Sequence, residues 1–257
     1  MEKLYFYEEN YDDMLINSKY VACGTESTIL FHDGKIYKLL VPEAINKFIK
    51  KRLRYISEKK ELEDYITMPL REIYYEFRFI GYEMDYAGCN LTDFLIECID
   101  NDSLDNNLKY ELLSKMKLCI EKIHEYKMIH GDIQPRNVLV NNDKVLLGDI
   151  NNMNFGIHRN AYLNEISLRL CRKYGVSPII DIQSFNYFCY FIFNADNETL
   201  RDILSYGADS IFRTGLLEVD NKCFDDKVIQ EQKEIFDRKR SKKLALTESK
   251  YLIDYLK

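Results

Sequence analysis

Two hydrophobic periods divide this chain. From Tyr20 to Leu40 short apolar runs bounded by turn residues read as a small β-meander. Val21 opens one strand, Thr28-Ile29-Leu30-Phe31 makes a second, and Lys35-Ile36-Tyr37-Lys38-Leu39-Leu40 returns as a third. Asp33-Gly34 between the last two is a hairpin signal, because both residues tolerate the positive φ of a tight turn. Pro42 ends the run. Glu43 to Ser57 then changes to helical spacing, with Ile45, Phe48, Ile49, Leu53 and Ile56 apolar and Lys47, Lys50, Lys51, Arg52 and Arg54 on the other face. Glu72 to Tyr86 reads as two further strands, the second from Phe79 to Tyr86.

Beyond the break at Ala87-Gly88 the pattern is mostly helical. Leu91 to Ile99 is a short helix. Leu108 to Tyr126 is a longer one, with Leu112, Leu113, Met116, Cys119, Ile120 and Ile123 on its apolar face. Val138 to Val140 and Val145 to Leu147 are short strands around the turn Asn141-Asn142-Asp143. Ser184 to Phe193 is an aromatic-rich buried helix, and the remainder is expected to be helical to its end. The sum is an α+β fold of two lobes with a ligand cleft between them. Residues 1–87 form a β-rich lobe with one helix, and residues 88–257 form a mostly helical lobe.

Composition narrows the classes. The 257 residues, 46% hydrophobic and 30% charged, suffice for one or two cores. A formal charge of −6 gives no nucleic-acid footprint, so Lys47 to Arg54 and Arg238 to Lys243 read as solvated helix faces. No apolar run approaches a membrane span, and Met1 to Asn10 lacks the pattern of a signal peptide. The seven cysteines never form Cys-x-x-Cys, and the four histidines do not complete a zinc spacing with them. A reduced, cytoplasmic protein is expected, with no membrane or nucleic-acid partner. Its oligomeric state is left open.

The chemistry concentrates in Ile129-His130-Gly131-Asp132-Ile133-Gln134-Pro135-Arg136-Asn137, followed twelve residues later by Asp149. One carboxylate, one carboxamide and a second carboxylate are the set that holds Mg-bound ATP and orients an attacking hydroxyl. Phosphoryl transfer asks mainly for positioning and charge neutralisation. Asn137 and Asp149 carry the hard oxygens that Mg²⁺ prefers.

From Tyr20 to Phe193 the chain resembles the protein-kinase-like superfamily. Ala22-Cys23-Gly24-Thr25-Glu26-Ser27-Thr28-Ile29 is similar to its glycine-rich phosphate loop, with two glycines replaced by Ala22 and Ser27. Lys38 stands at the third-strand lysine. Met84-Asp85-Tyr86 resembles the gatekeeper and hinge. His130-Gly131-Asp132 with Asn137 resembles the catalytic loop, and Asp149 the metal aspartate. Asp181 with Ser184 is similar to the aspartate-led helix that braces that loop.

The resemblance implies a role for each position. Backbone around Ala22, Gly24 and Ser27 would cover the phosphates, and Lys38 would neutralise their charge. Asp85 to Ala87 would pair with adenine between Ile29 and Leu139. Asp132 would take the acceptor proton, and Asn137 and Asp149 would hold Mg²⁺. His130 would hold the loop rather than act as a base. ATP and Mg²⁺ are the implied cofactors.

The departures shape the expected function. Gln134 stands where protein Ser/Thr kinases carry a lysine, Gly131 where an arginine is commoner, and Asp149-Ile150-Asn151 in place of Asp-Phe-Gly. No Ala-Pro-Glu follows. The glutamate expected to pair with Lys38 is missing from its place, where Ile49 or Lys50 stands, which leaves Glu43 and Glu58 as substitutes. The reading is a divergent, bacterial-type kinase acting on protein Ser/Thr. A kinase of small molecules, like the aminoglycoside and choline kinases, is one alternative. A pseudokinase scaffold is another.

Overall fold

The strand-period region folds into a six-stranded sheet, ordered β1-β5-β6-β4-β3-β2. Its members are β1 (Glu2–Phe6), β2 (Lys19–Cys23), β3 (Ser27–His32), β4 (Lys35–Leu40), β5 (Pro69–Tyr75) and β6 (Arg78–Asp85). This computed structural model describes residues 1–141, 144–155, 177–206 and 251–255. The chain divides into two units: Met1–Gly88 with Asp149–Asn151, and Cys89–Gly148 with Asn152–Lys257. Asp149 to Asn151 therefore group with the sheet, although all of residues 88–257 were expected in the helical lobe. The class is α+β, with a β-sheet N-terminal unit and a helical C-terminal one, and the fold is kinase-like.

In the first unit the hairpin between β3 and β4 turns on Asp33 and Gly34, at φ 48° and 76°. The β5–β6 hairpin turns instead on Glu76 and Phe77, at φ 45° and 68°, without a glycine to announce it. The N-terminus is a departure from expectation. β1 runs parallel to β5, and helix α1 (Glu8–Asn17) follows it. Neither carries a clean period, because mixed acids and tyrosines fill both. Met14 from α1 joins Leu30, Tyr37 and Ile73 in a buried cluster, with Leu4, Phe6 and Tyr11 packed against it.

The helix expected from Glu43 to Ser57 is broken. A 3₁₀ turn spans Pro42–Ala44, and helix α2 begins only at Ile49 and ends at Ser57. Between them the Asn46 side chain accepts the Phe48 N–H at 3.0 Å, a local bond that competes with helix formation. α2 buries Ile49, Leu53, Ile56 and also Arg52.

The second unit is built from helices with conventional caps. Asn90 accepts the Asp93 N–H to start α3 (Leu91–Asp100), and Asp105 accepts the Leu108 N–H to start α4 (Asn106–Glu125). Helix α5 runs Ile179–Asn194, five residues earlier at its start than Ser184, because Pro178 with φ −53° sets up its first turn. Helix α6 (Asn197–Tyr206) follows. Two small sheets complete the unit. One joins β7 (Cys89–Asn90), β9 (Val138–Asn141) and β10 (Lys144–Leu147). The other pairs β8 (Met128–Ile129) with β11 (Asn154–Phe155). α4 packs on α5 and β10 around Leu113, Met116, Ile120, Ile123, Leu147 and Phe185, all fully buried. Of the expected helical remainder, only a 3₁₀ turn at Leu252–Tyr255 lies beyond α6 within the described residues. His158 and Arg238 to Lys243 fall outside them. No helix among the described residues is long and apolar enough to cross a membrane.

Candidate active site

The loop after β8 is held by one carboxylate. Asp181, fully buried in the first turn of α5, accepts the His130 N–H at 2.8 Å and the Gly131 N–H at 2.7 Å. His124, at the last turn of α4, places Nε2 2.9 Å from the same carboxylate. A buried carboxylate with several donors satisfies N–H groups that would otherwise stand unpaired at a cost of about 1–3 kcal/mol each. His130 is the second brace. Its Nδ1 accepts the Asp132 N–H at 3.2 Å, so Nε2 carries the proton and donates to the Gly148 carbonyl at 2.8 Å. Gly131 takes φ 80°, which glycine adopts without a Cβ penalty.

This bracing presents Asp132, which is 5% exposed. Gln134 Nε2 lies 3.0 Å from each carboxylate oxygen, and Asn137 Nδ2 donates to one of them at 2.6 Å. Asn137 Nδ2 also reaches the Asp132 carbonyl at 3.0 Å. The amide nitrogen of Asn137 is thereby committed, and its Oδ1 is the atom suited to a cation. Gln134 places a neutral clasp on the carboxylate itself. The Gly148 N–H donates to the Asn137 carbonyl at 2.7 Å, so the residue before Asp149 is tied to this loop.

The sheet unit carries a second group. Ala22, Ile29, Lys38 and Tyr82 pair in register across β2, β3, β4 and β6, so their side chains stand in one row on one face. Lys38 is buried and its ammonium is ion-paired with the Asp149 carboxylate. Burial disfavours the charged lysine, but Asp149, Tyr82 and Glu26 more than offset it and raise its pKa overall. Lys38 therefore stays a cation. Tyr82 is fully buried, and burial pushes its phenol up to about 12, with Lys38 opposing. Its hydroxyl donates to Asn151 Oδ1 at 3.0 Å. Arg52 of α2 extends Nη1 to the Asn151 carbonyl at 3.4 Å. Asp149 itself adopts φ 51°, a left-handed conformation that aspartate accepts more readily than most residues. Glu43 and Glu58, the two substitutes expected beside Lys38, are both exposed. Asp149 holds the lysine in their stead.

The other positions expected to face a nucleotide, Leu139 apart, lie along the same unit. Gly24 N–H donates to the Ser27 carbonyl at 2.9 Å and closes the turn between β2 and β3. Ala22 and Gly24 are exposed, while Ser27 is buried. A Cβ placed on Gly24 would meet nothing within 4 Å. Met84 is buried opposite Ile36. Asp85 is exposed and ion-paired with Lys35, and Ala87 is buried. Tyr86 is half-exposed, its ring edge-on to Phe31 at 5.7 Å. Leu139 belongs to the second unit, in β9, paired with Asn90. The structure thus joins Lys38 to Asp149 in one unit and Asp132 to Asn137 in the other, with a single peptide bond, Gly148–Asp149, linking the two groups.

Three residues escaped the reading of the sequence. Tyr82 read only as a strand position, and Asn151 only as part of the segment that stands in place of Asp-Phe-Gly. Gly81 is the third: a Cβ there would sit 2.1 Å from the Lys38 carbonyl oxygen, so glycine lets β6 lie against β4. Among the described residues no three His, Cys, Asp or Glu side chains converge as a metal cluster.

The model of the family described as lipopolysaccharide core biosynthesis protein (WaaY) matches residues 79–207. A probable serine/threonine-protein kinase irlC of Dictyostelium discoideum is 27% identical over 171 residues, 55% of this chain and 12% of that protein. A second probable serine/threonine-protein kinase of the same organism is 29% identical over 77 residues, 28% of this chain and 18% of its own. A probable bifunctional tRNA threonylcarbamoyladenosine biosynthesis protein of Methanosphaera stadtmanae is 29% identical over 184 residues, 68% of this chain and 33% of that protein. The chain spans a third or less of the length of each of these curated relatives.

Proposed function

The chain belongs to the lipopolysaccharide core biosynthesis protein (WaaY) family, within the protein-kinase-like superfamily, and on that premise we propose that it transfers the γ-phosphoryl group of ATP to a saccharide hydroxyl of a lipopolysaccharide core. The observation that carries this reading is the fixed carboxylate of Asp132, held by Gln134 and Asn137 on a loop that Asp181 braces. Such a group is set to orient one incoming hydroxyl. As the acceptor oxygen bonds to the γ-phosphorus and the bond to ADP breaks, Asp132 receives the hydroxyl proton. In a loose transition state orientation counts for more than basicity, and a carboxylate restrained by amide donors supplies it.

Lys38, kept charged and buried, offsets phosphate charge without needing to be recruited. Asn137 Oδ1 and the Asp149 carboxylate would hold Mg²⁺, which when bound neutralises charge on the phosphate oxygens. Lys38 would then exchange part of its contact with Asp149 for phosphate. Met84 to Ala87 would receive the adenine, with Ile29 and Leu139 against its ring, and the turn from Ala22 to Ser27 would cover the phosphates. The cytoplasm, where ATP is made, is the compartment this reading requires.

A protein Ser/Thr acceptor is the second reading, favoured by the irlC match over 55% of the chain. The test is γ-labelled ATP with Mg²⁺ against three acceptor sets: lipopolysaccharide cores, a protein extract, and small amino-sugars and amino-alcohols. Label in the core saccharide is the expected result. Label in protein alone transfers the case to the second reading. ATP binding with no labelled product and no hydrolysis makes the chain a binding module and overturns both.

A further inference from the structure

Helix α2, Ile49–Ser57, contains no carboxylate at all. In the family this helix resembles, a carboxylate orients the strand lysine. Here the helix sends a cation, Arg52, to the carbonyl of Asn151. The tie to this segment from the sheet comes from the lysine's neighbour across the ladder. Tyr82 is the register partner of Lys38 across β4 and β6. Its hydroxyl donates to Asn151 Oδ1 at 3.0 Å, two residues beyond Asp149.

We propose that Tyr82 is a positioning residue, whose single hydroxyl ties the strand bearing Lys38 to the Asp149–Asn151 segment. The inference rests on the phosphotransferase reading for its consequence, but its geometry lies wholly within the first unit. A phenol O–H donates to the carboxamide oxygen without carrying charge into the interior. Two features make the bridge rigid. Tyr82 sits in a central strand fixed by register, and Gly81 beside it lets β6 approach the Lys38 carbonyl. A brace from a strand does not shift when a helix moves. The Asp149–Asn151 segment is therefore held from the sheet by Tyr82 as well as from α2 by Arg52. Asn151 gains a role by the same argument: it is the handle by which Asp149 is held. Asparagine fits that handle because its Oδ1 takes the tyrosine proton, which a glycine in the same place has no side chain to do.

Tyr82→Phe removes one oxygen and keeps the ring, and Asn151→Ala removes the other end of the bond. Hydrogen exchange of the amides from Asp149 to Asn151, measured without nucleotide, reads the brace directly. Both variants are expected to exchange about tenfold faster there, with melting temperatures within a few degrees of wild type. Turnover should fall by about 10- to 100-fold with little change in acceptor KM, since a small misplacement of reacting groups costs rate more than binding. The double variant should be no worse than the more affected single one, because both cut one bond. Wild-type exchange in both singles overturns the proposal, and so do losses that add in the double. A wild type with no response to Mg·ATP overturns the phosphotransferase reading instead, and the exchange data then decide the brace alone.

Discussion

The loop around Asp132 and the turn around Gly24 serve the same proposed nucleotide, yet they are built by opposite means. In the loop, the N–H groups of His130, Gly131 and Asp132 each go to a named side-chain atom, on Asp181 or His130, and the carboxylate at its centre is buried. In the turn, backbone bonds from Gly24 to Ser27 and from Val41 to Glu26 hold a largely exposed segment, and a methyl group at Gly24 would touch nothing. A site held by side chains depends on each of them. A site held by backbone tolerates substitution until its ligand arrives. The loop should therefore fail residue by residue, while the turn should fail only in binding.

Asp132→Asn gives the largest expected effect. Transfer should fall by about 10²–10⁴-fold, with nucleotide binding retained, as judged by steady-state rates beside ATP titration. Next comes Asp181→Ala. It leaves the buried His130 and Gly131 N–H groups without their acceptor, at about 4 kcal/mol in total, and should lower the melting temperature by roughly 8–16 °C. A loop that kept its stability without Asp181 would break the contrast.

Gly81→Ala tests the sheet side of the site. Its Cβ would collide with the Lys38 carbonyl, so a loss of about 1–3 kcal/mol is expected in denaturant titration, together with weaker ATP binding. Glu72 supplies a smaller effect. Burial raises its pKa, but bonds from Arg54 at 2.6 and 3.0 Å and from Tyr74 at 2.6 Å lower it further, below the ordinary 4.5. A depressed folded value means the contribution is complete above pH 4.5 and is lost as pH falls through the folded value. Glu72→Gln should flatten the acid limb of the stability curve and leave the neutral region parallel to wild type. Gly24→Ala is the mildest. Stability should stay within about 0.5 kcal/mol, while ATP affinity drops because the added methyl stands where phosphate would approach the backbone.

The same contrast explains what could be read in advance. Asp132, Asn137 and Asp149 stood out in the sequence because their spacing serves no helix or strand period. Asp181 was legible only through the resemblance, as the counterpart of the acid that braces the catalytic loop. Tyr82 was not, because alternation assigns it to the core, where it is, and says nothing of the hydroxyl it carries inside. Gly81 was hidden for a related reason: the close approach it permits is to a strand distant in sequence. The parallel pairing of Glu2–Phe6 with Pro69–Tyr75 depends on a partner that no local pattern names. The helix break at Asn46 follows from a side chain competing with its own backbone. Gln134 was read as a missing cation, and only its two contacts with Asp132 show what it does instead.

The account stands on Lys38, Asn137 and Asp149 receiving ATP with Mg²⁺. Thermal melting of wild type and Asp149→Ala with ATP, with and without Mg²⁺, tests it most directly. At a hundredfold excess over its Kd, ATP with Mg²⁺ should add about 2.7 kcal/mol to the wild type, a rise of roughly 5–10 °C, and the Mg²⁺-dependent part should vanish in Asp149→Ala. A wild type that ignores ATP, or a variant that keeps the full Mg²⁺-dependent rise, would contradict it.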